Sequence, residues 1–79
     1  MNTVYAKNVP LEKVRALVEA RLPEHTYRVE EAAEYPGWEI AVDLVEIIDK
    51  TVVAHLMSSE LGCEIAFEDD LEAQALTTA

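Results

Sequence analysis

Tyr35-Pro36-Gly37-Trp38-Glu39-Ile40-Ala41-Val42-Asp43-Leu44-Val45 is the stretch whose reading decides the fold. At a period of two, Trp38, Ile40, Val42 and Leu44 fall on one face and Glu39, Ala41 and Asp43 on the other, the alternation of a half-buried strand. At the helical period, Glu39, Asp43, Glu46 and Lys50 share a face, and Ala41, Leu44, Val45 and Ile48 form the opposite stripe. Two features favour a strand over Trp38 to Val45. The segment is rich in aromatic and β-branched residues, which suit a pleated surface. It also follows Pro36-Gly37, where proline presets the first central torsion of a turn and glycine accepts positive φ at the next.

A turn followed by a strand calls for a partner before it, and Thr26 to Ala32 supplies one, with Tyr27 and Val29 opposite Thr26, Arg28 and Glu30. Thr3 to Lys7 is a further strand, Val4 and Ala6 facing away from Tyr5 and Lys7. Between these two, Leu11, Val14, Leu17, Val18 and Leu22 form one helical stripe. That helix starts behind Asn8-Val9-Pro10, since proline is tolerated in a first turn, and Pro23 ends it. Downstream, Asp49 suits the N-cap of a second helix that runs to Leu61 and is closed by Gly62. Cys63, Ile65 and Phe67 then alternate with Glu64, Ala66 and Glu68 as a last strand. The tail from Asp69 to Ala79 reads as a short terminal helix or a frayed end. The order βαββαβ over residues 1–79 predicts a single α+β domain. Its form is a ferredoxin-like two-layer sandwich: a four-stranded antiparallel sheet with two helices on one face and the other face open.

Composition narrows the function. The 79 residues carry 16 Asp and Glu against 6 Lys and Arg, a formal charge of −10. Nucleic acid and anionic membranes are held mainly by Lys and Arg, so direct binding to either is disfavoured. A hydrophobic share of 51% is too high for a chain kept disordered by charge. A chain of this length buries one small core and has no room for a deep substrate cleft. Its single cysteine, Cys63, excludes an intrachain disulfide. No signal sequence or membrane-length apolar run is present, which points to the cytoplasm.

The acidity is uneven. Residues 1–23 carry a net +2 and residues 24–79 a net −12, from fourteen acids against Arg28 and Lys50. Strand parity places Tyr5, Lys7, Thr26, Arg28, Glu30, Glu39, Ala41, Asp43, Glu64, Ala66 and Glu68 on the open sheet face, with Asp69 and Asp70 at its rim. RNA-binding sheets present aromatic and basic groups, the reverse of this charge. Such a surface repels nucleic acid and attracts a protein that binds it, although an acidic face also serves solubility alone.

Candidate chemistry is sparse. His25, His55 and Cys63 are the available imidazoles and thiol, and Cys63 takes the apolar parity of its strand, which suits an inert core thiol. Glu68-Asp69-Asp70 and Glu72 offer oxygen ligands but lack the spacing and glycine of a calcium loop. There is no CxxC, HExxH, Gly-x-Ser-x-Gly or glycine-rich phosphate loop, so neither an enzyme nor a cofactor is expected. Tyr35 and Trp38 flank the turn, where exposed aromatics can anchor a partner, but Trp38 reads first as a core residue and Tyr35 as the edge of the hairpin.

In size, in charge and in its absence of catalytic motifs the chain resembles the small acidic inhibitors of phages and mobile elements, the DNA-mimic anti-restriction and anti-CRISPR proteins. The resemblance implies a stoichiometric inhibitor, monomeric or weakly dimeric, that occupies the basic nucleic-acid-binding surface of a partner. Glu30, Glu39, Asp43, Glu64, Glu68, Asp69 and Asp70 are the expected contacts. A small regulatory or ligand-binding module that dimerises through its sheet, or an antitoxin or immunity protein, are the alternatives.

Overall fold

The computed structural model describes residues 3–22, 27–44 and 50–78. The elements in chain order are β1 (Thr3–Lys7), α1 (Leu11–Arg21), β2 (Tyr27–Glu31), β3 (Ile40–Leu44), α2 (Lys50–Leu61), β4 (Glu64–Phe67) and α3 (Glu68–Thr78). The expected positions of Pro23, His25, Thr26, Val45, Glu46, Ile48 and Asp49 lie outside the described residues.

The deciding stretch is a strand. Ile40, Val42 and Leu44 are buried, while Ala41 and Asp43 between them are only half-buried. The strand opens two residues later than its periodicity suggests, because Trp38 and Glu39 still belong to the approach from the turn. In that turn the Trp38 N–H donates to the Tyr35 carbonyl at 3.0 Å. Gly37 sits at φ 88°, the positive torsion that a Pro-Gly turn requires of its third residue. The Ala32 N–H donates to the Glu39 carbonyl at 2.7 Å and extends the hairpin beyond both strands.

The sheet is antiparallel throughout, in the order β2-β3-β1-β4. Each strand–helix–strand unit therefore spans an intervening strand: β3 lies between β1 and β2, and β1 lies between β3 and β4. Crossovers of this kind need a dozen or more residues, which the connections containing α1 and α2 provide. Both helices pack on the face carrying Val4, Ala6, Val29, Ile40, Val42 and Leu44, to which α1 contributes Val14 and Val18 and α2 contributes Val53, Ala54 and Met57. Arg15 Nη2 donates to the Val29 carbonyl at 3.2 Å, and Arg21 pairs with Glu60 across the two helices. Pro10 is the N-cap of α1, its carbonyl accepting from Lys13 and Val14. Cys63 belongs to this core, with its thiol donating to the Met57 carbonyl at 3.7 Å and burial pushing the group up from its ordinary pKa.

One expectation needs correction. Of the two readings of the tail, the terminal helix is the one found, so the described residues hold three helices. Glu68, assigned by alternation to the last strand, instead begins α3 directly after Phe67, and the chain turns back over the sheet without a loop.

Gly62 closes α2 at φ 63°, its N–H donating to the Ser58 carbonyl at 3.1 Å. A Cβ there would meet no atom within 4 Å, so a substitution is opposed by backbone conformation alone. Gly62→Ala is expected to lower stability in urea denaturation by about 1–2 kcal/mol, and Gly62→Asn by less, because asparagine tolerates the left-handed region. Equal stability of all three proteins would contradict a left-handed cap.

Candidate functional site

On the sheet face away from the core, Tyr5 lies in β1, directly opposite Ala41 of β3 and Ala66 of β4. The two alanines leave space on either side of the ring, and α3 lies over β1 and β4 there. Tyr5 is 3% exposed, Thr3 8% and Leu71 of α3 4%, so the face is closed at these positions. The Tyr5 hydroxyl donates to Glu34 Oε2 at 3.5 Å, and its ring meets Tyr35 edge-on at 5.3 Å between centroids. Burial, reinforced by the carboxylates of Glu34 and Glu68, pushes the Tyr5 phenol up to about 12. Tyr35 is shifted in the same direction by desolvation and by Glu68, Glu72 and Glu34.

Trp38 is not in the core. Half-buried, it lies beneath the Lys7 ammonium, 4.5 Å from Nζ to the ring centroid, and lines a groove with Leu71 and Gln74. The turn holds the indole on the α3 side, and the core below β3 begins with Ile40 instead.

The seven expected contact residues do not form one patch. Glu30 and Asp43 share the half of the face that α3 leaves uncovered. Arg28 stands directly opposite Asp43 and is 3.6 Å from Glu30. Glu39 is exposed at the approach to β3. At one end of β4, Glu64 receives Lys7 at 3.4 Å and Asn8 Nδ2 at 3.5 Å. At the other, Asp69 pairs with Lys50 at 3.2 Å. Asp70 is exposed and lines the groove beside Trp38.

Glu68 is the clear exception. It is 7% exposed, and its Oε2 has no hydrogen-bond partner among the described residues. The switch to helix after Phe67 ends the strand alternation, and the buried carboxylate lies near enough to the Tyr5 and Tyr35 phenols to oppose their ionisation. Glu68, Asp69 and Asp70 together form the first turn of α3. Carboxylates at this position complement the unpaired N–H groups of a helix start, so the acidic run has a local role as well.

Periodicity did not reveal α3 as a cover for the sheet. The signal that could have done so is compositional: two alanines flank a tyrosine on an otherwise charged face, where a helix can approach closely. His55 is exposed on α2, and His25 lies outside the described residues. Among the described residues, no group of three His, Cys, Asp or Glu could hold a metal, and no helix is long and apolar enough to cross a membrane. No family model, curated protein or solved structure matches this chain.

A phenol with a raised pKa stabilises the fold fully below pH 10, and that contribution is lost as pH rises towards about 12. Tyr5→Phe is therefore expected to unfold less readily than the parent chain over that window. Leu71→Ala, which loosens α3, is expected to return the Tyr5 titration towards 10, read by tyrosinate absorbance. An unchanged titration in Leu71→Ala would contradict the covering role of α3.

Proposed function

We propose that this chain is an acidic protein-binding inhibitor that occupies the basic nucleic-acid-binding surface of a partner, in the manner of a DNA mimic. The observation that carries this reading is the placement of charge. Glu31, Glu39, Asp70 and Glu72 are exposed with no ion-pair partner among the described residues. The cations nearest the proposed contacts, Lys7, Arg28 and Lys50, are already engaged with Glu64, Glu30 and Asp69. What remains for a partner is a surplus of carboxylates on a scaffold of net charge −10. The contact set is Glu30, Glu39, Asp43, Glu64, Asp69 and Asp70, without Glu68. Complementary charge of this kind raises association rates by ~10–10³-fold and is weakened by salt.

The scaffold is a ferredoxin-like sandwich with an added third helix. Supporting this, the strand order from the opposite edge is β4-β1-β3-β2 with the two strand–helix–strand units interleaved. Dimerisation through the sheet, as in the regulatory-module alternative, is opposed by α3, which lies over β1 and β4.

The test is recovery of a nucleic-acid-binding protein from host lysate on the immobilised chain. Capture at low salt, loss at high salt and release by duplex DNA are the expected outcome. Glu39→Lys combined with Asp70→Lys is expected to slow association with that protein about tenfold or more without lowering the melting temperature. Capture that is insensitive to salt and to duplex DNA, or recovery of the chain alone, would overturn the proposal.

A further inference from the structure

The two edges of the sheet differ in a way that bears on how a basic partner could dock. β2 carries Arg28, Glu30 and Glu31, all exposed, and charged side chains of this kind discourage a further strand from pairing. β4 carries Ile65-Ala66-Phe67, uncharged and only half-buried, with no strand beyond it among the described residues. Beside this edge runs a groove of about 550 Å³ between the sheet and α3, formed in part by Trp38, Ala66, Asp70 and Leu71.

Each end of β4 pairs a carboxylate with an aromatic ring, and each pair already holds an ammonium group. Lys7 Nζ is 3.4 Å from Glu64 and 4.5 Å from the centre of the Trp38 ring. Lys50 Nζ is 3.2 Å from Asp69 and 5.3 Å from the centre of the Phe67 ring. The Glu64 and Asp69 side chains remain 63% and 65% exposed, so a second cation can reach either one. The rings hold the chain's own lysines, so the exposed carboxylate oxygens are what favour lysine or arginine at both ends.

We propose that the outer edge of β4 accepts an extended, basic segment of a partner protein as a fifth strand, its cationic side chains reaching Glu64 and Asp69 and its apolar side chains the groove beside Trp38. The inference rests on the basic-partner reading above and names the surface that would serve it. Glu64 shares the open face with Ala66, whereas Lys50 and Asp69 lie by Phe67 on the core-side parity, so cations an odd number of residues apart in the segment, about three or five, reach one end each. Main-chain hydrogen bonds supply affinity in strand addition, and the end pairs supply the preference for positive charge. A second copy of this chain is the poorer occupant, because pairing two β4 edges brings two molecules of charge −10 together at their Glu64 and Asp69 ends.

The test is an NMR titration of the isotope-labelled full chain with a blocked peptide of alternating valine and threonine carrying two lysines about five residues apart, on opposite faces of the strand. Its counterpart with glutamates in place of the lysines is the control. Shifts and slowed amide exchange concentrated at Glu64–Phe67 and the Trp38 indole, with the lysine peptide at least about tenfold tighter, are expected. Glu64→Gln combined with Asp69→Asn should abolish that preference while leaving the melting temperature near that of the parent. Shifts confined to Glu30, Glu39 and Asp43 would overturn the edge site and leave the basic-partner reading standing. Equal binding of both peptides, an unaltered preference in the double variant, or self-association through β4 would overturn the inference. So would failure of both peptides to bind, and recovery of a salt-sensitive partner would then still support the broader reading.

Discussion

Everything distinctive in this structure depends on the burial of both faces of β1, one of the two inner strands. β1 is hydrogen-bonded to β3 on one side and β4 on the other, and Val4 and Ala6 are fully buried beneath α1 and α2. A two-layer sandwich stops there and leaves Tyr5 in water. An aromatic side chain buries ~150–250 Å², worth up to roughly 4–6 kcal/mol at ~25 cal/mol/Å². That gain is available only if another segment covers Tyr5. Tyr35 and Glu34 of the hairpin meet the ring and hydroxyl, and α3, which follows β4 without a loop, lies over β1 and β4 and buries Leu71 there.

The same packing redistributes the charge. Covering Tyr5 hides Glu68 and brings the carboxylates of Glu34 and Glu68 close enough to oppose ionisation of the phenol. It also splits the acidic face in two. Glu30 and Asp43 remain with Arg28 on the uncovered half, whereas Glu64, Asp69 and Asp70 surround β4 and the start of α3. A bulk charge of −10 thus becomes two separate acidic rims around a largely neutral, partly covered sheet.

Much of the scaffold was legible because its signals are local. Alternation located β1, and Gly62 marked the end of α2 through the positive φ that a left-handed cap demands. Pro36-Gly37 decided the ambiguous stretch in favour of a strand. The errors share one cause. Glu68 continues the alternation of Ile65 and Phe67 perfectly well, and nothing in that local pattern records that a helix starts there. Likewise, Ala41 and Ala66 read as neutral positions until Tyr5 is seen between them, a relation across three strands that no window along the chain contains. Trp38 was misplaced for the same reason, since its neighbours are Lys7 and α3 and not the residues beside it in the chain.

The account stands or falls on α3 lying against the sheet in solution. Amide hydrogen exchange tests this most directly. With α3 docked, the amides of Ala73, Gln74 and Ala75 exchange nearly as slowly as those of β4, and the β1 amides are slower still. Free exchange across Leu71 to Ala75 beside a protected β1 would contradict it, returning Tyr5 and the whole acidic face to solvent.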